Sequence, residues 1–221
     1  MGLAVPAPDL EQSSAEEVLG YMVERFHPRL YVAASFQKET SVIMDMITQI
    51  TPEARFFTLD TGVLFPETYE TWREAEEFFD VEIEVFQGMS LARQAAVHGD
   101  ELWKRDPDAC CAIRKVSPLS DALSGVDGWI SGVRRDQSAT RRSTAKVEWD
   151  SKNELWKANP LADWSDKDVW DYIVARGLPY NELHDRGYAS IGCTHCTKPG
   201  AGREGRWAAA SKDECGIHSV A

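Results

Sequence analysis

Leu30-Tyr-Val-Ala-Ala34 decides the fold. This short apolar run gives way to a polar loop, Ser35-Phe-Gln-Lys-Glu-Thr40, after which Val42, Ile43, Met46, Ile47 and Ile50 recur at helical spacing. A brief continuous apolar run suits a strand covered on both faces, and the later switch to a period of about 3.6 marks a helix. Arg55-Phe-Phe-Thr-Leu59 repeats the strand and stops at Asp60-Thr-Gly62, and Pro66 then opens a helix with Tyr69, Trp72, Ala75 and Phe79 on one face. Val81, Ile83 and Val85 alternate with glutamates as a third strand. Gly128 to Val133 reads as another, running straight into a group of arginines.

Strands separated by helices of this length require right-handed crossovers, so the pattern predicts an α/β fold with a doubly wound parallel sheet. Val147-Glu-Trp149 and Leu155-Trp-Lys157 add a hairpin, and Ser165 with Asp168 caps a helix that ends near Gly177. Ligands of such sheets bind beyond the carboxyl ends of the strands. Ser35, Asp60 and the arginines from Arg134 onward are therefore expected on one rim. Residues 1–28 form a helical lead-in, 29–198 the α/β domain, and 199–221 a glycine-rich mobile tail with hinges at glycines 200, 202 and 205.

The chain has 221 residues and a net charge of −12, which disfavours nucleic acid and anionic membranes as partners. An anionic ligand then needs a locally basic site. Arg134 to Arg142 and Lys198 to Lys212 supply two. No apolar run is long enough to span a bilayer, and residues 1–12 carry no targeting pattern, so the cytoplasm is the expected location. Oligomeric state is not encoded in any motif; a homo-oligomer is compatible.

Five cysteines in a chain of this kind point to thiol chemistry or metal ligation rather than disulfides. Cys110 and Cys111 are adjacent, and Cys193-Thr-His-Cys196 is a CxxC. Spacing alone leaves zinc, an iron–sulfur cluster, a vicinal disulfide and buried thiols open. His195 reads as a structural neighbour of the pair. Cys215, in Glu214-Cys-Gly-Ile-His218, stands apart on the tail, where it is expected to be accessible, with Lys212 and His218 as cations favouring its thiolate.

Asp60-Thr-Gly-Val-Leu-Phe-Pro-Glu-Thr-Tyr69, Gly132-Val-Arg-Arg-Asp-Gln-Ser138, Cys110-Cys-Ala-Ile-Arg-Lys115, Gly192-Cys-Thr-His-Cys196 and Glu214-Cys-Gly-Ile-His218 together resemble the assimilatory adenylyl sulfate and phosphoadenylyl sulfate reductases. The resemblance implies a sheet of the adenine nucleotide alpha-hydrolase type. It also implies a [4Fe-4S] cluster on Cys110, Cys111, Cys193 and Cys196, a catalytic Cys215, and thioredoxin or a similar thiol donor as partner. Lys115, Arg203 and Arg206 are then expected on the phosphosulfate and Arg134 and Arg135 near the nucleotide; Ser35 and Asp60, from their strand-end positions, and His218, beside Cys215, are expected to bind substrate as well. The implied reaction reduces adenylyl sulfate to sulfite and AMP. A phosphoadenylyl sulfate or dual reductase is the near alternative, and a redox-sensing cluster or zinc protein the distant one. The loop Ser35 to Thr40 departs from related ATP-cleaving enzymes in having no glycine, which speaks against ATP pyrophosphate chemistry.

Overall fold

The computed structural model describes residues 8–207, Lys212 and 214–218; residues 1–7 of the lead-in and 208–211, 213 and 219–221 of the tail lie outside the described residues. In chain order the elements are α1 (Ala15–Phe26), β1 (Leu30–Ala33), α2 (Lys38–Ile50), β2 (Arg55–Asp60), α3 (Pro66–Phe79), β3 (Ile83–Gln87), α4 (Leu91–His98), α5 (Leu102–Arg105) and α6 (Pro107–Cys111). A π turn (Ala112–Val116) leads into α7 (Ser117–Leu123), followed by β4 (Gly128–Ile130), β5 (Val147–Asp150), β6 (Leu155–Ala158) and α8 (Asp166–Arg176). The six strands form one sheet of order β3-β2-β1-β4-β6-β5, parallel except for the β5–β6 hairpin at its edge. This is the α/β, doubly wound arrangement expected from the strand–helix alternation.

Strand periodicity explains why both faces are covered. Leu30, Val32, Phe56 and Ile130 enter one core, while Tyr31, Phe57 and Trp129 enter the other. Successive side chains point to opposite faces, so each central strand feeds both layers. The first core takes in buried side chains of α1, α2 and α8; the second takes Leu119, Ala122 and Leu123 of α7. Val18, Leu19 and Met22 of α1 are fully buried in the first core, so the lead-in packs as part of the same unit.

Helix α2 begins at Lys38, two residues after the strand-end loop turns. The expected loop is thus shorter than Ser35 to Thr40, because Lys38, Glu39 and Thr40 are buried in the first turn of α2 with polar partners. Thr40 Oγ1 accepts from Ser35 N at 3.1 Å, Lys38 Nζ meets Asp166 Oδ1 at 2.5 Å, and Arg134 Nε donates to Glu39 Oε1 at 2.9 Å. Without a glycine, the turn falls on Phe36, which adopts φ of 55°. A bulky residue there carries backbone strain, offset by its burial and by its parallel stack on Trp72 at 5.4 Å.

Candidate active site

The order in which strands are added reverses at β1: β2 and β3 lie on one side, β4 and the hairpin on the other. The carboxyl ends diverge at this switch point and leave a crevice. A cavity of about 160 Å³ opens there, walled by residues 33–37 after β1, by Phe57, Thr58, Leu59 and Thr61 of β2 and its end, and by residues 131–133 after β4. Lys115, Gln137, Arg141, Arg203, Arg206, Cys215 and His218 complete the wall. Ser35, Lys115, Arg203, Arg206, His218 and Cys215 are therefore brought together.

Three expected residues do not line this cavity. Asp60 builds the turn beside it: Oδ1 accepts from Gly62 N at 2.8 Å and from the Tyr69 hydroxyl at 2.7 Å, and Oδ2 accepts from Gln87 Nε2 at 2.7 Å. That Asx turn suits Gly62, whose φ is 69°. Arg134 is buried and held by Glu39, Asp136, Asp166 and the Trp164 carbonyl. Arg135 turns outward to Glu11 and the Thr144 carbonyl. The cluster's cation on the wall is instead Arg141, whose spacing from β4 gave no sign of it.

Arg134 accordingly has a measurable structural role. Arg134→Ala leaves Glu39 buried without its cation, which costs about 3–5 kcal/mol. Urea unfolding of this variant should show that loss; an unchanged midpoint would overturn the assignment.

Cys215 is buried rather than accessible, packed with Cys111 and Trp207. The two residues expected to favour its thiolate lie close by but are engaged with other partners. Lys212 pairs with Asp108 on α6, and His218 lies in a parallel stack on Trp129 at 5.7 Å. Burial, then Lys157 and Arg141, holds the His218 imidazole well below its usual range and hence neutral. Positive charge at the cavity comes from Lys115, Arg141, Arg203 and Arg206, against Glu39 on the same wall. Burial pushes the Arg203 guanidinium down to about 10, with Arg141 adding to the effect.

A second, smaller cavity lies against the first, and Cys110, Cys111, Cys193 and Cys196 all line it. The CxxC is strapped to the turn after β2: Thr194 N donates to Val63 O at 2.9 Å, and Cys193 Sγ donates to Thr61 Oγ1 at 3.4 Å. His195 stacks on Trp103 at 4.0 Å, the structural role expected for it. Burial, then Cys193, Cys111 and Cys110, pushes the Cys196 thiol up to about 11, as expected for thiols crowded in one apolar space. Four cysteines share the wall of one cavity with His195 and with no carboxylate, a thiol-rich donor set that fits the chemistry of an iron–sulfur cluster.

Lys115 and Arg206 line both cavities. Lys115 does so from the π turn that follows Cys111, a widened helical turn of a kind frequent at functional sites. Gly88 makes room for it, since a Cβ there would lie 2.1 Å from Ile113 O. Arg206 lies over the Trp207 ring at 4.5 Å and donates to Ser190 Oγ at 3.2 Å and Ile191 O at 3.0 Å. Its guanidinium rests on Gly192, where a Cβ would approach Nη2 to 2.4 Å.

Residues 29–199 match the family model described as the phosphoadenosine phosphosulfate reductase domain. The chain is 46% identical over 216 residues to an adenosine 5'-phosphosulfate reductase of Geobacillus kaustophilus, covering 95% of this chain and 92% of the relative. It is 44% identical over 217 residues to a phosphoadenosine 5'-phosphosulfate reductase of Gloeobacter violaceus, covering 95% and 90%. Among solved structures, a phosphoadenylyl-sulfate reductase from Candida auris in a phosphate complex superposes with a TM-score of 0.75 at 32% identity, covering 86% of this chain and 94% of that one.

Proposed function

The chain belongs to the phosphoadenosine phosphosulfate reductase family, and from that premise we propose that it reduces adenylyl sulfate to sulfite and AMP in sulfate assimilation, with Cys215 as nucleophile. The observation that carries this reading is the convergence of Cys215 with Lys115, Arg203 and Arg206 at the switch-point cavity. A thiolate approaching a sulfonate meets like charge, so fixed cations at that point favour the transition state.

The Cys215 thiolate attacks the sulfonyl sulfur in line. An S–S bond forms as the bond from sulfur to the phosphate oxygen breaks, and AMP departs with that electron pair. One thiolate of thioredoxin or a similar dithiol then attacks Cys215 Sγ and expels sulfite. The donor's second thiol resolves the mixed disulfide, returns Cys215 as a thiol and leaves the donor oxidised by two electrons. Cys215 is buried in the closed state, so the tail opens between the two steps.

Cys110, Cys111, Cys193 and Cys196 would hold a [4Fe-4S] cluster. The cluster would supply charge and rigidity next to the substrate, since the donor thiols already provide both electrons. Lys115 and Arg206 line both cavities and would stand next to both the cluster and the substrate. We place the reaction in the cytoplasm, where such thiols stay reduced.

The four cysteines favour the unphosphorylated substrate, while the Gloeobacter violaceus relative keeps the phosphoadenylyl reading in play. Anaerobic assay of sulfite release with a dithiol donor should give a kcat/KM at least about tenfold higher for adenylyl sulfate, a difference of roughly 1.4 kcal/mol in transition-state binding. The opposite ratio would reassign the substrate. No sulfite from either would favour a redox-sensing module.

A further inference from the structure

We propose that Glu214 is the positioning residue that seats Cys215, tying the tail to two cations of the active-site cavity. The proposal rests on the function given above and extends it to a residue that touches no reacting atom.

Glu214 is the immediate chain neighbour of Cys215, so the two Cα atoms lie about 3.8 Å apart whatever the tail does elsewhere. Its carboxylate meets Arg141 fork to fork: Nε donates to Oε1 and Nη2 donates to Oε2, each at 2.8 Å. Arg203 Nη2 adds 3.0 Å to Oε2, and the Thr140 hydroxyl adds 3.2 Å to Oε1. All three charged side chains are largely buried, where a bidentate pair is both stronger and more directional.

The anchor is itself fixed. Arg141 Nη1 donates to Gln137 Oε1 at 2.6 Å, and Gln137 Nε2 donates to Glu39 Oε1 at 3.1 Å, in the first turn of α2. A continuous chain of hydrogen bonds thus runs from the nucleophile's neighbour to the strand-end loop. The other tail contacts are simpler. Lys152 Nζ donates to Gly216 O at 2.9 Å, His218 stacks on Trp129, and Lys212 reaches Asp108. Among these contacts of the described residues, the Glu214 pairs are the ones made with cations of the cavity wall that holds Cys215.

This arrangement predicts opposite effects on binding and on chemistry. Removing the negative charge releases the tail but gives the two arginines back to an anionic ligand. In the cluster-loaded Glu214→Gln enzyme, kcat for adenylyl sulfate should fall about 30- to 100-fold, the scale expected when a nucleophile is misplaced by about 1 Å. The AMP dissociation constant should stay level or decrease. Iodoacetamide labelling of Cys215, read by peptide mass, should speed up about tenfold or more as the thiol leaves its buried seat. Glu214→Asp should recover part of both effects. Arg141→Lys keeps the charge but lacks the fork, and should reproduce the labelling change if the glutamine variant fails to fold.

Unchanged kcat and labelling in Glu214→Gln would overturn the proposal. So would a loss of AMP affinity matching the loss of turnover, which marks a residue that merely supports the pocket. A parent protein that makes no sulfite would refute the proposed reaction, whereas the labelling contrast between parent and variant still reports on the seat.

Discussion

Cys215→Ser is expected to abolish sulfite release, by about 10⁴-fold or more, while AMP affinity and iron content remain those of the parent. Serine nearly matches cysteine in size, and Glu214 still anchors the residue, so the cavity keeps its shape. The hydroxyl stays protonated near neutral pH and is a far weaker nucleophile than a thiolate. His218, the nearest imidazole in sequence, is buried against Trp129 with Nδ1 lacking a hydrogen-bond partner among the described residues. Even a sulfated serine would carry an oxygen in place of the Sγ that the donor thiolate attacks to expel sulfite, so the second half-reaction fails as well. Single-turnover assay, titration with AMP and iron analysis check the three parts. Sulfite release at a tenth of the parental rate would remove Cys215 from the mechanism.

That separation of roles was partly visible in the chain itself. The alternation of strand and helical periods fixed the layered sheet, because Leu30, Tyr31 and Val32 must send neighbouring side chains to opposite faces whatever surrounds them. The switch-point rule then put Ser35 on the rim correctly. Asp60 and Arg134 sat at equally suitable strand ends, but long-range partners claimed them: Tyr69 and Gln87 for the first, Glu39 and Asp166 for the second. No local pattern announces partners that lie from 9 to 95 residues away.

Arg141 and Glu214 illustrate the converse. Each was in view, one within the arginine group and the other beside the nucleophile, yet a pair 73 residues apart acquires meaning only when the tail folds back. Burial of Cys215 followed the same logic. A glycine-rich, basic tail reads as loose, but Gly200 and Gly205 are points of close backbone approach: a Cβ on Gly205 would lie 2.0 Å from Lys198 O. Those glycines let residues 198–207 fold tightly on themselves and deliver Arg203 and Arg206 to the cavity.

Lys115 should show the second large effect. Lys115→Met keeps the length of the side chain and removes its charge, and kcat/KM for adenylyl sulfate should fall about 10²- to 10³-fold, as when one fixed electrostatic donor is lost from a transition state. Position makes the case. The π turn sets Lys115 between the cysteine-lined cavity and the nucleophile's cavity, and Cys111, four residues earlier, packs against Cys215. A cation there would face anionic groups on both sides if the four cysteines hold the proposed cluster and the other cavity holds the substrate, and its removal would withdraw attraction from each. Arg206 shares both walls, but Trp207, Ser190 and Ile191 hold it in place, and its guanidinium lies flat on Gly192. It cannot swing to replace the missing ammonium. Lys115→Arg retains the charge but spreads it over a planar group, and should recover only part of the loss. Iron content and thermal unfolding should match the parent in both variants, because no cysteine is altered. A Lys115→Met enzyme with parental kcat/KM would show that charge at this junction is dispensable, and the cluster's influence on the substrate would then have to reach it without this residue.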